Sequence, residues 1–518
     1  MDRKKFLKYI GIGSGVVMMP SVFTSCMGGM QGGGESVEVI SPGSFINALK
    51  LPGEISSTSF DIAAKTGSVS LGEGANTQVY TTNGMFLSPT IRAQRGDHLS
   101  IKFANDMDQE SILHWHGMSV PPDMDGHPRD AVEPGQAYNY NFSINQRAGT
   151  YWYHPHPDGF TGPQVYKGVA GFFIVEDEEE KALNLPSGNY EIPLVIQDKK
   201  ISADGKLLYD TGGMMQQMMG FFGDRIFVNG TPAPYKQVES RWYRLRLLNG
   251  SNARIYNLAF SDDAAFYIIG SDGGLLEKPA QVTEVLLAPG ERADVLVDFS
   301  RFSQGDTLRL RSTGVDNTGS GGMMNGNDGG GMMGNDRMMK DRDGGMQGMM
   351  GSGSNSQSQS FDIMEFRITN GPGDSFTLPS QHSTLDFPKA EEVTNRRTIN
   401  LTMEMMQGMA LDGQFFGMNR VDQQVKQGAV EEWTFVNQTP MPHPMHIHAG
   451  QFKVVKRSGG TGRGLIPTET GWKDTVLVKP EEQVTVRMRF NAEMGVYVYH
   501  CHNLEHEDNG MMANMKII

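Results

Sequence analysis

The sequence predicts an all-β protein built as three Greek-key β-sandwiches, and three observations carry that expectation. Glycine and proline are plentiful, 64 and 25 of 518 residues, while long amphipathic helical periods are scarce. Short segments alternate apolar and polar residues with a period of two between Gly and Pro turns, as half-buried strands do. The same succession of turn and strand recurs three times at about 150 residues, which marks a repeated domain and not a solenoid.

The recurrences can be followed along the chain. A turn-bearing segment opens each portion: Thr82-Asn83-Gly84, Val228-Asn229-Gly230 and Leu411-Asp412-Gly413. A β-patterned run ending in Asn follows at 99–105, 242–249 and 432–437. Then comes a Pro-led turn (Glu133-Pro134-Gly135, Ala288-Pro289-Gly290, Lys479-Pro480-Glu481) and an alternating run at 138–142, 293–299 and 484–490. The expected sandwiches span 41–183, 184–372 and 373–518. Two Met-rich clusters interrupt them: Met214-Met215-Gln216-Gln217-Met218-Met219, and 321–350 with nine Met and ten Gly, running on to about 360.

Residues 1–25 read as a signal peptide, followed by a Gly-rich leader at 26–40. Arg3, Lys4, Lys5 and Lys8 form a basic head, 10–23 is largely apolar, and Thr24 and Ser25 precede Cys26. The head resembles a twin-arginine signal with Lys as its second residue, and Val22-Phe23-Thr24-Ser25-Cys26 resembles a lipoprotein box. The alternative is a plain secretory signal with an incidental Cys. The expectation is an exported protein of the periplasm or cell envelope, anchored by lipid at Cys26 if that box is used. No later apolar run reaches the eighteen or so residues that span a bilayer.

Hydrophobic residues make up 38% and charged residues 20%, an ordinary globular composition. The formal charge is −14, and −17 without the first 25 residues, which carry four positive charges and one negative. Such acidity disfavours nucleic acid and anionic lipid as partners and favours small cations. Cys501 is the one cysteine of the expected folded body.

The thirteen histidines would form about 0.3 His-X-His pairs by chance. Four exist: His114/His116, His154/His156, His446/His448 and His500/His502. Residues two apart on a strand face one side, so each pair aims two imidazoles at one point. Eight imidazoles from four strands suit a metal cluster, and imidazole with few anionic ligands suits copper. The pairs fall only in the outer portions, so the cluster is expected between them, with the middle portion serving for spacing and packing. Cys501 points away from His500 and His502. With His443, His506 and Met511 near it, the set is that of a blue-copper electron-transfer site, Met512 competing with Met511 as the axial ligand. His98, His127 and His382 are left as surface or turn residues.

These segments, His114-Trp115-His116-Gly117, Tyr151-Trp152-Tyr153-His154-Pro155-His156, 443–448 and 500–511, resemble the four copper motifs of the multicopper oxidases, in that family's order. The resemblance covers nearly all of the chain after the leader. It implies cupredoxin-like domains and four copper ions. The type 1 copper would be held by His443, Cys501, His506 and Met511, and the type 2 copper by His114 and His446. One type 3 copper would be held by His116, His154 and His502, the other by His156, His448 and His500. It further implies that electrons pass from Cys501 to His500 and His502, and that dioxygen is reduced to water. Asp125 and Glu507 match acids that serve proton delivery in the family; the bland alternative is a pair of solvated loop carboxylates. Asp474 is expected to be a partner of a type 1 histidine.

The Met-rich stretch bears on the reductant. Thioethers are soft ligands that select Cu(I), and Met403, Met405, Met406, Met409 and Met441 add more in the third portion. This resembles the Met-rich bacterial copper-efflux oxidases, which oxidise Cu(I), although Thr439 stands where that group has a substrate-binding acid. The leading expectation is a monomeric cuprous oxidase using dioxygen. The alternatives are a laccase-like oxidase of phenols, Fe(II) or Mn(II), a non-catalytic copper-storing envelope protein, and a copper-free scaffold relative.

Overall fold

A computed structural model describes residues 37–71, 76–210, 213–315, 357–373, 375–404 and 407–518. The signal-like segment, Cys26, the Met-rich stretch 321–350, Met405 and Met406 lie outside the described residues. Among those described, no helix is long and apolar enough to cross a membrane.

The protein is all-β, in three cupredoxin-like sandwiches. The first packs a five-stranded sheet that includes Leu113–His116 and Gly149–Pro155 on a four-stranded sheet that includes Ser59–Val69, His98–Asp106 and Gln136–Ser143. The middle one pairs a six-stranded with an eight-stranded sheet, and the third pairs two five-stranded sheets. Each sandwich has its own core, centred on residues such as Trp115, Tyr140 and Phe173 in the first, Leu245, Leu258 and Phe366 in the middle, and Trp433, Phe435 and Tyr499 in the third. Full burial of a Val, Leu or Phe side chain contributes about 1.5–3 kcal/mol.

The threefold echo in the sequence is a threefold repeat of topology. In each sandwich one long strand runs parallel to the Asn-ended strand: Ser59–Val69 with His98–Asp106, Glu191–Ile201 with Trp242–Asn249, and Val393–Glu404 with Val430–Asn437. The Asn-ended strand then pairs antiparallel with the one after the Pro-led turn: Gln136–Ser143, Arg292–Asp298 and Glu482–Arg489.

The polar residues of the repeat explain its geometry. Asn83, Asn229 and Asp412 have φ of 52°, 50° and 50°, each followed by a glycine of positive φ, as a tight two-residue turn requires. Each also accepts a backbone N–H from the neighbouring long strand with its side-chain oxygen, from Ala63, Val195 and Asn400 respectively. Asn105, Asn249 and Asn437 stop their strands alike. Each amide donates to two backbone carbonyls and accepts the N–H two residues on, which satisfies backbone groups where the ladder ends.

The first described residues belong with the middle sandwich. Val39 lies in its core, and Asn47–Ala48 pairs parallel with Pro234–Glu239.

Candidate metal centre

Register brings the histidine pairs together. Leu113–His116 and Gly149–Pro155 are antiparallel neighbours with His114 directly opposite His154. In the third sandwich His443–Ile447 and Gly495–Cys501 are antiparallel neighbours with His446 opposite His500. His156 and His448 lie just past the ends of their strands. All eight imidazoles, His114, His116, His154, His156, His446, His448, His500 and His502, are buried.

Their ring nitrogens converge. His114 Nε2 lies 3.4 Å from His446 Nε2, and His116 Nδ1 lies 3.4 Å from His154 Nε2. His500 Nε2 lies 3.3 Å from His156 Nε2 and 3.2 Å from His448 Nε2. Two nitrogens each about 2.0 Å from one ion, at roughly tetrahedral to trigonal angles, stand about 3.3–3.5 Å apart. The rings of His116 and His154 close on His502 with centroids 4.9 and 5.2 Å away. Both nitrogens of His502, and Nδ1 of His156, are buried with no hydrogen-bond partner.

The outward nitrogens fix which atom faces inward. His114 Nδ1–H donates to the Asp125 carbonyl (2.7 Å), His446 Nδ1–H to the Asp474 carbonyl (2.8 Å), and His154 Nδ1–H to the Pro155 carbonyl (2.8 Å). His448 Nδ1–H donates to Asp125 Oδ2 at 2.7 Å. These four present Nε2. His116 is turned the other way, its Nε2–H donating to Asp474 Oδ1 at 3.0 Å. Burial first, and then the neighbouring imidazoles, holds His114, His446 and His448 well below the usual histidine range. A neutral imidazole is the form that binds metal.

A second site lies behind Cys501. Alternation along Gly495–Cys501 turns its thiol away from His500 and toward the third core. His443 Nδ1 and His506 Nδ1 lie 3.4 and 3.5 Å from its sulfur. The Nε2–H of His443 donates to Thr439 Oγ1 (2.7 Å), and that of His506 to the Met218 carbonyl (2.9 Å), so both Nδ1 atoms are left for the sulfur side. Met511 shares the core of Cys501, and its carbonyl accepts the Cys501 N–H; the register puts Met512 opposite His500. Burial pushes the Cys501 thiol up, a cost that a soft cation removes by binding the thiolate. Two His and one Cys, buried with their donors converging, fit copper in kind.

Residues 63–180, 199–318 and 386–518 match three family models, each described as multicopper oxidase. The chain belongs to the multicopper oxidase family. Among its relatives is a laccase of Bacillus stratosphericus, 32% identical over 502 residues, covering 85% of this chain and 91% of that one. The structure of the McoA multicopper oxidase from the hyperthermophile Aquifex aeolicus superposes with a TM-score of 0.78 at 37% identity, covering 91% of this chain and 99% of that one. A multicopper oxidase from Campylobacter jejuni described as a metallo-oxidase gives 0.75 at 27% identity, covering 93% and 98%. This multicopper oxidase is therefore a copper-dependent oxidoreductase with oxygen as the family's acceptor.

The two acids expected near the cluster are both there. Asp125 is buried, with Oδ2 on His448 and Oδ1 3.6 Å from His114 Nδ1. Burial, with Asp130 nearby, raises its carboxyl well above the usual range. Glu507, on the short helix Leu504–Asp508, puts Oε2 3.0 Å from His500 Nδ1 and Oε1 3.5 Å from His156 Nε2. Burial alone would raise it, but His500 and His156 outweigh that and hold it well below the usual carboxylate range.

Four sequence expectations need correction. Asp474 partners His116, a member of the eight-histidine group, and not a histidine beside Cys501. Asp474 immediately precedes Thr475–Val478, which pairs antiparallel with His443–Ile447 so that Thr475 faces His446 and Val478 faces His443. Asp474 thus falls at the cluster end. His127 is buried, accepting the Arg129 N–H and donating to Asn514 Oδ1, a tie between the first and third sandwiches. His382 is also buried.

The fourth correction concerns the middle sandwich, which does more than space the others. Its Arg292 forms a two-pronged pair with Asp474. A Cβ on its Gly290 (φ 83°) would press on the His502 ring at 3.0 Å. Its segment 213–221 supplies the carbonyl that holds His506. Gly117 (φ 85°) also follows from this packing, since a Cβ there would collide with Asp474 Oδ2 and Arg292. The closing Gly of His114-Trp115-His116-Gly117 was the available signal that a third group comes close.

Proposed function

We propose that the protein is a cuprous oxidase, coupling one-electron oxidation of Cu(I) to the reduction of dioxygen to water, for copper detoxification. In this reading His443, Cys501, His506 and Met511 hold the type 1 copper, and His114 and His446 the type 2 copper. His116, His154 and His502 hold one type 3 copper, and His156, His448 and His500 the other. Copper bound at these residues would supply one-electron acceptance at the sulfur site and dioxygen reduction at the histidine site. Cys501 is covalently continuous with His500 and His502, which gives electrons a short bonded route. Asp125, whose raised carboxyl keeps its proton, and Glu507, a carboxylate that accepts and passes protons on, serve the proton demand of the reduction, and burial keeps bulk water from the site.

Methionines flank both imidazoles of the sulfur site along the chain and through their backbone. The carbonyl of Met218 holds His506. Met441 lies two residues before His443, and its N–H and carbonyl both bond the Thr439 hydroxyl that holds the same histidine. Met218, Met403 and Met441 pack half-buried against the third core. Methionines packed against the core that holds Cys501 offer soft ligands in that neighbourhood, which suits Cu(I) better than a phenol. The Met-rich stretch 321–350 adds to that supply by composition. We further propose an exported, monomeric enzyme of the cell envelope, lipid-anchored at Cys26.

Deleting 321–350, and separately replacing Met218 and Met441 by Leu, tests the reading. Loss of Cu(I) oxidation with phenol oxidation kept or raised is expected. Parallel loss of both, or loss of phenol oxidation alone, would favour the laccase-like reading.

A further inference from the structure

Arg292 lies where the three sandwiches meet, and every N–H of its guanidinium is used. Nε donates to the Thr150 carbonyl of the first sandwich at 2.9 Å. Nη1 donates to the Gly290 carbonyl (2.9 Å) and to Asp474 Oδ1 (2.7 Å). Nη2 donates to the Asp272 carbonyl (3.0 Å) and to Asp474 Oδ2 (2.6 Å). The backbone of Arg292 donates to Asp272 Oδ1 at 2.8 Å, and Asp272 Oδ2 lies 2.8 Å from Lys473 Nζ, which is 2.9 Å from Glu291. Arg292, Asp272, Lys473 and Asp474 are fully buried.

Asp474 is thereby held in one orientation, with both oxygens on a planar fork. Oδ1 also accepts the Thr475 hydroxyl and the Nε2–H of His116, each at 3.0 Å. The His116 ring, stacked on His446 with centroids 3.7 Å apart, is left with Nδ1 toward His154 Nε2. Its neighbours His114, His446 and His448 present Nε2 instead.

We propose that Arg292 is a positioning residue for the cluster: by locking Asp474 it makes His116 present Nδ1, and so couples the middle sandwich to a site that its own sequence does not ligate. This rests on the proposal that His116 holds a type 3 copper. The fork is specific to arginine. A lysine brings the charge but one point of donation, and leaves one carboxylate oxygen and the Thr150 carbonyl without their partners.

The test uses the full-length, copper-loaded protein and the variants Arg292→Lys, Arg292→Gln and Asp474→Asn. Arg244→Lys serves as a control: Arg244 pairs with Glu180 and Asp294 in a buried network that meets Arg292 through Thr150 but, among the described residues, hydrogen-bonds none of the eight clustered histidines. Copper per chain, the visible type 1 band, the near-ultraviolet type 3 absorption and the kcat/KM split are read together. The expected result is an unchanged type 1 band and reductant KM, with loss of type 3 absorption and about a 10–100-fold fall in kcat, as for other outer partners of metal-bound histidine. Arg292→Lys should not rescue, and Arg292→Gln with Asp474→Asn should cost little more than either alone. Full type 3 absorption and kcat in Arg292→Gln overturns the proposal. So does a loss of type 1 and type 3 signals in step, matched by Arg244→Lys. If the Arg292 variants do not fold, Asp474→Asn decides by the same readings. A wild-type protein without type 3 absorption would instead remove the cluster assignment on which the proposal rests.

Discussion

His506 Nε2–H donates to the carbonyl of Met218, 2.9 Å away, so a methionine segment of the middle sandwich orients an imidazole beside Cys501 in the third. The neighbouring contacts reinforce the join. Glu505 accepts from Tyr209 (2.7 Å), Asn252 (2.8 Å) and the Phe221 N–H (2.8 Å), and Asn503 donates to the Met219 carbonyl. The other imidazole, His443, depends on a single hydroxyl, that of Thr439.

Thr439→Val removes that acceptor and leaves a buried N–H unpaired. The expected outcome is a shifted or weakened type 1 visible band and about tenfold lower turnover, with type 3 absorption intact. Absorption spectroscopy beside steady-state rates checks it, and an unaltered type 1 band removes Thr439 from the account.

Cys501→Ser is expected to abolish the blue colour and turnover, and to lower copper content by one ion per chain while type 3 absorption remains. A variant that stays blue would contradict the assignment of Cys501.

Asp125→Asn and Glu507→Gln keep size and remove an ionisable proton site. Each is expected to lower kcat by about 10²–10⁴-fold while leaving the KM for the reductant and the visible band as they are. Unchanged kcat in both would return these acids to a purely structural role.

Lys199 gives a pH signature away from the copper site. It is fully buried, donating to the Tyr166 carbonyl at 2.7 Å, and burial lowers its ammonium from 10.5 to about 7. Between about 7 and 10.5 the unfolded chain keeps a proton that the folded chain has released, so stability rises with pH across that window. Chemical denaturation at pH 7.5 and 9.5, values roughly inside that window, should show wild type gaining on Lys199→Met as pH rises. A difference independent of pH contradicts it.

The histidine pairs were legible because a strand repeats every two residues, so spacing alone put His114 with His116 and His500 with His502 on one face. The threefold repeat was legible in Asn83, Asn229 and Asp412 for a similar reason: each must bear a positive φ. Arg292 was not legible, because its partner Asp474 lies 182 residues away and neither sits in a repeating pattern. The place of Asp474 itself turned on strand register, which proximity to His443 in sequence does not supply. The burial of His127 likewise depends on Asn514, a partner 387 residues distant.

Oxygen uptake by the copper-loaded protein, measured in parallel with Cu(I), Fe(II) and a phenol, tests the central claim most directly. The account expects Cu(I) to give the highest kcat/KM, with one dioxygen consumed for about every four Cu(I) oxidised and no peroxide released. No uptake with Cu(I), or a phenol preferred over it in the intact chain, would contradict it.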